Sequence, residues 1–289
     1  MSGPLVAPGE LRTVADLAFL GADSRADELE IDLHEVKWVA PAGVVALLAQ
    51  CLGAQRAGRR AAVRLPRDPA VLAYFDRIGM YDELVVNGWS VAPGARAPAA
   101  YRIHHHVPVM RITDFAELEE MGIRLEGVLR AAGLASLIEP IFTVASELSG
   151  NARDHGSDCY AVLQTHTGRT SGTPGVHLAV ADFGPGFAAN LRPVLGDLPP
   201  EECIARAFEE GITSRAEPYR GYGLHHVALA IGAIPGATLD IASGGGLVSL
   251  SNSRMQASPF AHLPFTVASA YFPVPLLDTE VGHGAAPER

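Results

Sequence analysis

The chain has 289 residues, 48% hydrophobic and 19% charged, with 30 glycines and 21 prolines; a packed, turn-rich fold of one large or two ordinary domains is expected and wholesale disorder is excluded. A net charge of −10 argues against extended nucleic-acid contact, which needs a basic footprint. Three scattered cysteines, Cys51, Cys159 and Cys203, exclude a disulfide framework or a Cys-based zinc motif and fit a reducing cytoplasm.

The start, MSGPLVAPGELRT, lacks a basic stretch followed by an apolar one, so no signal peptide is read. Residues 28–33 alternate in polarity and predict a strand. Pro41 then opens a helix with Val44, Leu47, Leu48, Cys51 and Leu52 at helical spacing. This region, 38–54, is the most apolar run, but it is short and contains Pro41, so it reads as a buried helix and not a membrane span. A second strand is predicted at 59–65. A second helix follows, with Asp68 as N-cap, Pro69 at the first position and Gly79 as the stop. Residues 1–90 therefore read as a small α/β layer structure. Residues 91–106, rich in Ala, Pro and Gly, read as a linker.

The second block spans 107–275. A helix over 113–133 places Phe115, Leu118, Met121, Leu125 and Val128 on one stripe and ends at Gly133. A second helix, 136–156, starts with a capping box of Ser136 and Glu139 and carries the stripe Ile141, Val144, Ala145, Leu148 and Ala152. Strands follow at 160–166 and 175–182. The long stretch 187–220 holds one helix, 200–211, and another helix begins after Gly223. Strands at 237–243, 246–251 and 265–272 close the block, and 276–289 reads as a loose tail. Helices lead and sheet closes, which fits a sandwich better than a βαβαβ series.

Three stretches carry candidate chemistry. In ELSGNARDHG, 147–156, Glu147, Asn151 and His155 recur every four residues and share a helix face offset from the core stripe. That face is either a wetted surface or the wall of a site. In AVADFGPGF, a strand ends at Asp182 and Gly184 and Gly186 follow. The carboxylate can accept from a ligand amine, or the stretch is a tight turn. In RGYGLHHVALAIG, Gly221 and Gly223 precede an apolar helix, either as a phosphate-binding helix start or as an ordinary junction. Neither a GxxxxGK[ST] loop nor a GxGxxG fingerprint is present. Three neighbouring histidines at 104–106 cannot all face one ion, so a structural role is expected for them.

Taken in order, Glu-x-x-x-Asn, Asp-x-Gly-x-Gly and Gly-x-Gly-Leu resemble the N, G1 and G2 boxes of the GHKL ATP-binding fold, shared by histidine kinases, anti-sigma-factor kinases, gyrase-type ATPases and related chaperones. NARDH is similar to the N box of the anti-sigma Ser/Thr kinase-like members. The resemblance covers roughly 110–272 and implies an α/β sandwich, a helical layer on a mixed sheet. It implies ATP and Mg²⁺ as cofactors, with Asn151 holding the metal and Glu147 acting as the base. Asp182 would receive the adenine amino group, with Gly184 and Gly186 letting the backbone wrap the nucleotide. The stretch 187–220 would be the lid, with Thr213, Ser214 and Arg215 near the phosphates. Gly221, Gly223 and Leu224 would form the phosphate-binding helix start. His225 stands where many members have a further Gly. Asp154 and His155 receive no role.

Residues 29–84 resemble a STAS domain, the fold of anti-sigma-factor antagonists. The stretch matching the phosphorylated Ser segment, 39–43, has Ala40, Pro41 and Ala42 and no hydroxyl, so that switch is absent if the match holds. The other reading is a small α/β cap on the ATP module. The expected function is a cytoplasmic ATP/Mg-binding signalling regulator of the anti-sigma Ser/Thr kinase type. It would transfer phosphate to a partner protein, a sigma factor or a STAS-type regulator, with no nucleic-acid or membrane partner and with oligomers allowed. The alternatives are a non-catalytic module whose nucleotide state controls an interface, and a GHKL ATPase.

Overall fold

The computed structural model describes residues 4–21, 28–91, 106–155, 157–166, 174–213 and 221–274. The first block contains β1 (Leu5–Val6), β2 (Glu10–Leu11), a 3-10 segment Val14–Gly21, β3 (Glu28–Asp32), β4 (Trp38–Val39), α1 (Pro41–Arg56), β5 (Arg60–Arg64), α2 (Pro69–Arg77), α3 (Met80–Val86) and β6 (Ser90–Val91). Strands β1, β3, β5 and β6 form a parallel sheet in that order, and β2 pairs with β4. Local chemistry sets the helix limits as expected. Asp68 Oδ1 accepts from the Ala70 N–H at 2.8 Å, Pro69 occupies the first turn, and Gly79 leaves the helix at φ 81°.

The second block contains β7 (His106–Ile112), α4 (Phe115–Ala131), a 3-10 turn Ala135–Leu137, α5 (Ile138–Asp154), β8 (Cys159–His166), β9 (Gly175–Asp182), α6 (Gly186–Leu195), α7 (Pro200–Arg206), α8 (Gly223–Gly232), β10 (Thr238–Ser251) and β11 (Arg254–Pro273). Five strands form one sheet in the order β10-β11-β9-β8-β7, antiparallel at every pairing. The expected mixed sheet is therefore corrected. The helix pair α4–α5 returns the chain so that β8 runs antiparallel to β7, and β8–β9 and β10–β11 follow each other as antiparallel neighbours. Strands β9 and β10 run the same way, joined through α6–α8, but β11 lies between them, so no adjacent pair is parallel.

Period-two alternation gives the large sheet two different faces. Ala161, Leu163, Leu178, Val180, Ala268 and Ala270 belong to the core under α4, α5 and α8. Tyr160, Val162, Ala179, Ala181, Phe265 and Val267 belong instead to the core of the first block. Helix α1 lies between the parallel sheet and this second face and contacts β8, β9 and β11. Thirteen of its residues are buried, so it has almost no polar side, as a helix covered all round requires. The two blocks thus share one core and stack as sheet, helix, sheet, helices. Residues 40–42, where a STAS-type phosphoacceptor would stand, are buried with it. The expected linker, 91–106, lies outside the described residues except for its two ends, Val91 in β6 and His106 in β7; the tail 276–289 also lies outside them.

Several local expectations change. The capping box of Ser136 and Glu139 does not form: the 3-10 turn precedes α5, and Leu137 stands at its N-cap without a side-chain bond. Phe115 is exposed at the first position of α4, where its ring lies under Arg153 at 3.4 Å, and Met121, Leu125 and Leu129 form the buried stripe. The strands expected at 237–243 and 246–251 are one strand, β10, with a bulge between Ser243 and Gly246. Two helices, α3 and α6, and five strands, β1, β2, β4, β6 and β7, have no counterpart among the expected elements.

Candidate functional site

A cavity of about 520 Å³ opens between α5, α6, the N-terminus of α8 and the helix-covered face of the large sheet, within the usual size range of a small-molecule site. Glu147 and Asn151 project into it from α5, one turn apart. The stripe of Ile141, Val144, Ala145, Leu148 and Ala152 fixes their direction, because burying that stripe leaves the offset face toward the cavity. Asp182 enters from the last position of β9, on the same side of the sheet as Leu178 and Val180. Gly221, Gly223 and Leu224 enter from the start of α8, and Gly186 and Thr213 complete the set.

Gly184 does not line the cavity. Its N–H donates to Asp182 Oδ1 at 2.8 Å and turns the chain behind that carboxylate. Ser214 and Arg215 lie outside the described residues. So do His104 and His105, while His106 Nε2 lies 2.8 Å from the Arg77 carbonyl. Asp154 and His155 also line the cavity.

The glycines permit close approach. A Cβ at Gly223 would sit 2.6 Å from Glu147 Oε2 and 3.7 Å from Asn151 Oδ1, so α8 starts against the two α5 side chains. Gly221 has φ 88°, and a Cβ there would meet the Gly211 backbone at 2.7 Å. The Gly211 N–H donates to the Gly221 carbonyl at 3.0 Å and ties together the two ends of 211–221. Gly186, at φ 81°, approaches Ser243 Oγ, which accepts from the Phe187 N–H and bonds Thr266 Oγ1 at 2.9 Å.

The cavity has two chemical ends. At one, α8 starts with Tyr222 at its N-cap, and among the described residues no side chain caps it. Its first-turn N–H groups and dipole therefore favour an anion. Glu147 and Asn151 supply hard oxygen donors beside them. Magnesium takes one or two protein oxygens together with phosphate oxygens, so this donor set fits it. At the other end lies Asp182, opposite Thr266 on β11, and Val180 and Ile241, both in register with Ala268, line the cavity from the same sheet. Burial pushes the Asp182 carboxyl up to about 6, against the opposing Gly184 N–H. A half-buried acceptor beside the apolar Val180 and Ile241 suits a planar heterocycle carrying an amine.

Phe187, Asn190, Arg153, His226 and Thr266 also line the cavity and were missed. The helix holding Phe187 and Asn190 carries a helical signal in Phe187, Leu191 and Val194, but Pro193 reads as a breaker. His226 reaches back from α8 to place Nδ1 3.4 Å from Glu147 Oε1. Among the described residues there is no cluster of three or more His, Cys, Asp or Glu able to hold a metal, and no helix long and apolar enough to cross a membrane. No family model, no curated protein and no solved structure matches the chain.

Proposed function

We propose that the chain is an ATP-binding signalling regulator of the histidine-kinase-like type, which transfers the γ-phosphoryl group of Mg-ATP to a hydroxyl of a partner protein. One observation supports this above the others: the three stretches carrying Glu147 and Asn151, Asp182 and Gly186, and Gly221 and Gly223, far apart in sequence, line one cavity. Asp182 accepts the hydrogen bond of the adenine amine, and Val180 and Ile241 flank the ring. The open N–H groups of α8 receive phosphate oxygens. Asn151 would hold Mg²⁺ through its amide oxygen, and the ion would neutralise charge on the phosphates. Glu147 takes the proton of the attacking hydroxyl as the new O–P bond forms and the bond to the ADP oxygen breaks. A sigma factor or a STAS-type regulator is the class of partner this reading implies.

The contact between His226 and Glu147 favours a second reading. A carboxylate held by an imidazole is less available as a base, and the cavity would then report nucleotide state through an interface without transfer. Binding of Mg-ATP and release of ADP decide between them. Under phosphoryl transfer, Glu147→Ala keeps ATP affinity and loses about 10²–10⁴-fold in turnover, whereas Asn151→Ala loses Mg-dependent binding. Equal, negligible turnover in wild type and Glu147→Ala supports the interface reading. A wild type that binds no Mg-ATP refutes both.

A further inference from the structure

Besides packing α1 on the sheet, the first block reaches the loop that follows Asp182 through a charged side chain. Arg56, the last residue of α1, sets its guanidinium carbon 4.3 Å from the ring centroid of Phe183, the residue after Asp182. Its Nη2 lies 3.0 Å from Asp158 Oδ2. Arg111 holds the same oxygen from β7, through Nη2 at 2.6 Å and Nε at 3.1 Å. Asp158 and its neighbour brace the loop after β9. Ser157 Oγ accepts from the Phe183 N–H at 3.2 Å and donates to the Asp158 carbonyl at 2.9 Å. The Gly184 N–H in turn fixes Asp182 Oδ1. Arg56 therefore holds a side chain on each of the two segments, 157–158 and 182–184, that aim Asp182 into the cavity.

A half-exposed ion pair alone contributes little. Here one planar group pairs with a carboxylate and lies on an aromatic ring at once, which an ammonium cannot reproduce. We infer that Arg56 is a positioning residue through which the first block sets how the cavity discriminates between purine bases. The inference rests on the nucleotide reading above. Asp182 reads an amine only when its carboxylate is correctly aimed. Freeing the 182–184 loop costs that selectivity more than it costs phosphate binding, which resides on α8 and α5.

The test compares Mg-ATP with Mg-inosine triphosphate, which lacks the amine, in full-length wild type, Arg56→Ala and Arg56→Lys. Amide hydrogen exchange is followed at Phe183 and Gly184. Arg56→Ala is expected to lower the ATP preference about fivefold, the loss of one cation–π contact and one partly exposed ion pair. It is also expected to speed exchange of both amides, while Arg56→Lys recovers part of each. Thermal unfolding checks that the variant folds, and Arg56→Gln carries the same comparison if Arg56→Ala does not. If wild type prefers ATP and the variants keep that preference, the inference is overturned. If wild type binds neither nucleotide, the ATP reading falls by itself and the two amides decide the remainder: faster exchange supports the brace, unchanged exchange overturns it.

Discussion

Asp182 and His177 pull the stability of the protein in opposite directions over nearly the same pH range. Burial raises the Asp182 carboxyl from 3.8 to about 6. The folded state therefore holds this proton more tightly than the unfolded one, and stability falls as pH rises from about 3.8 to about 6. Burial, helped by the charge of nearby His166, lowers His177 from 6.5 to about 4. The folded state refuses that proton, and stability falls as pH drops from about 6.5 to about 4. The two slopes offset each other in wild type. Asp182→Asn is expected to be more stable than wild type by about 1–3 kcal/mol above pH ~6, with the gap closing toward pH ~4. His177→Phe is expected to weaken the acid-side decline, of which His166, also lowered by burial, keeps a part, and to expose more of the opposite slope of Asp182. Urea unfolding of the three proteins from pH ~4 to pH ~8 checks both signs. His177 touches the His166 and Tyr271 rings with centroids at 5.0 and 4.7 Å, a packing that no local pattern announces.

The start of α8 separates two glycines that look equivalent in the sequence. At Gly221 the backbone is left-handed and a Cβ meets other backbone, so Gly221→Ala has no inexpensive escape. It is expected to destabilise the fold by about 1–3 kcal/mol. At Gly223 the added Cβ meets the far end of the Glu147 side chain, which can swing aside. Gly223→Ala is expected to fold within about 1 kcal/mol of wild type and still to lose turnover, because Glu147 is displaced. Thermal melts and ADP release distinguish the pair. The elements that carry the site were legible for the same reason. The periodicity of α5, the strand ending at Asp182 and the glycines before α8 are local signals, and local signals survive without the rest of the chain. Residues contributed by packing were not. Asn190 sits on a helix whose Pro193 hid it, His226 meets Glu147 across two helices, and Arg56 meets Asp158 over 102 positions. The capping box failed because a 3-10 turn took up Ser136 before α5 began.

At the scale of the whole chain, α1 is the shared component. The near-continuous apolarity of 159–163 and 176–181 marks strands covered on both faces, and it is the one sequence trace of how the blocks join. A chain starting at residue 107 is expected to leave Tyr160, Val162, Phe265 and Val267 bare, a contiguous apolar surface that promotes association. Size-exclusion chromatography of that truncation should show aggregates where the full chain does not. A monodisperse, folded 107–289 would show that the second block can do without the first.

The central place of α1 also governs the order of assembly. The helix leaves the ribosome well before β11, one of the strands it packs against. Until β11 is made, an apolar helix must wait without part of its cover. Slow, non-local closure of this kind exposes sticky surface for longer than folding by local contacts does. The layer that binds the two blocks into one molecule is thus also the stage at which the nascent chain is most vulnerable.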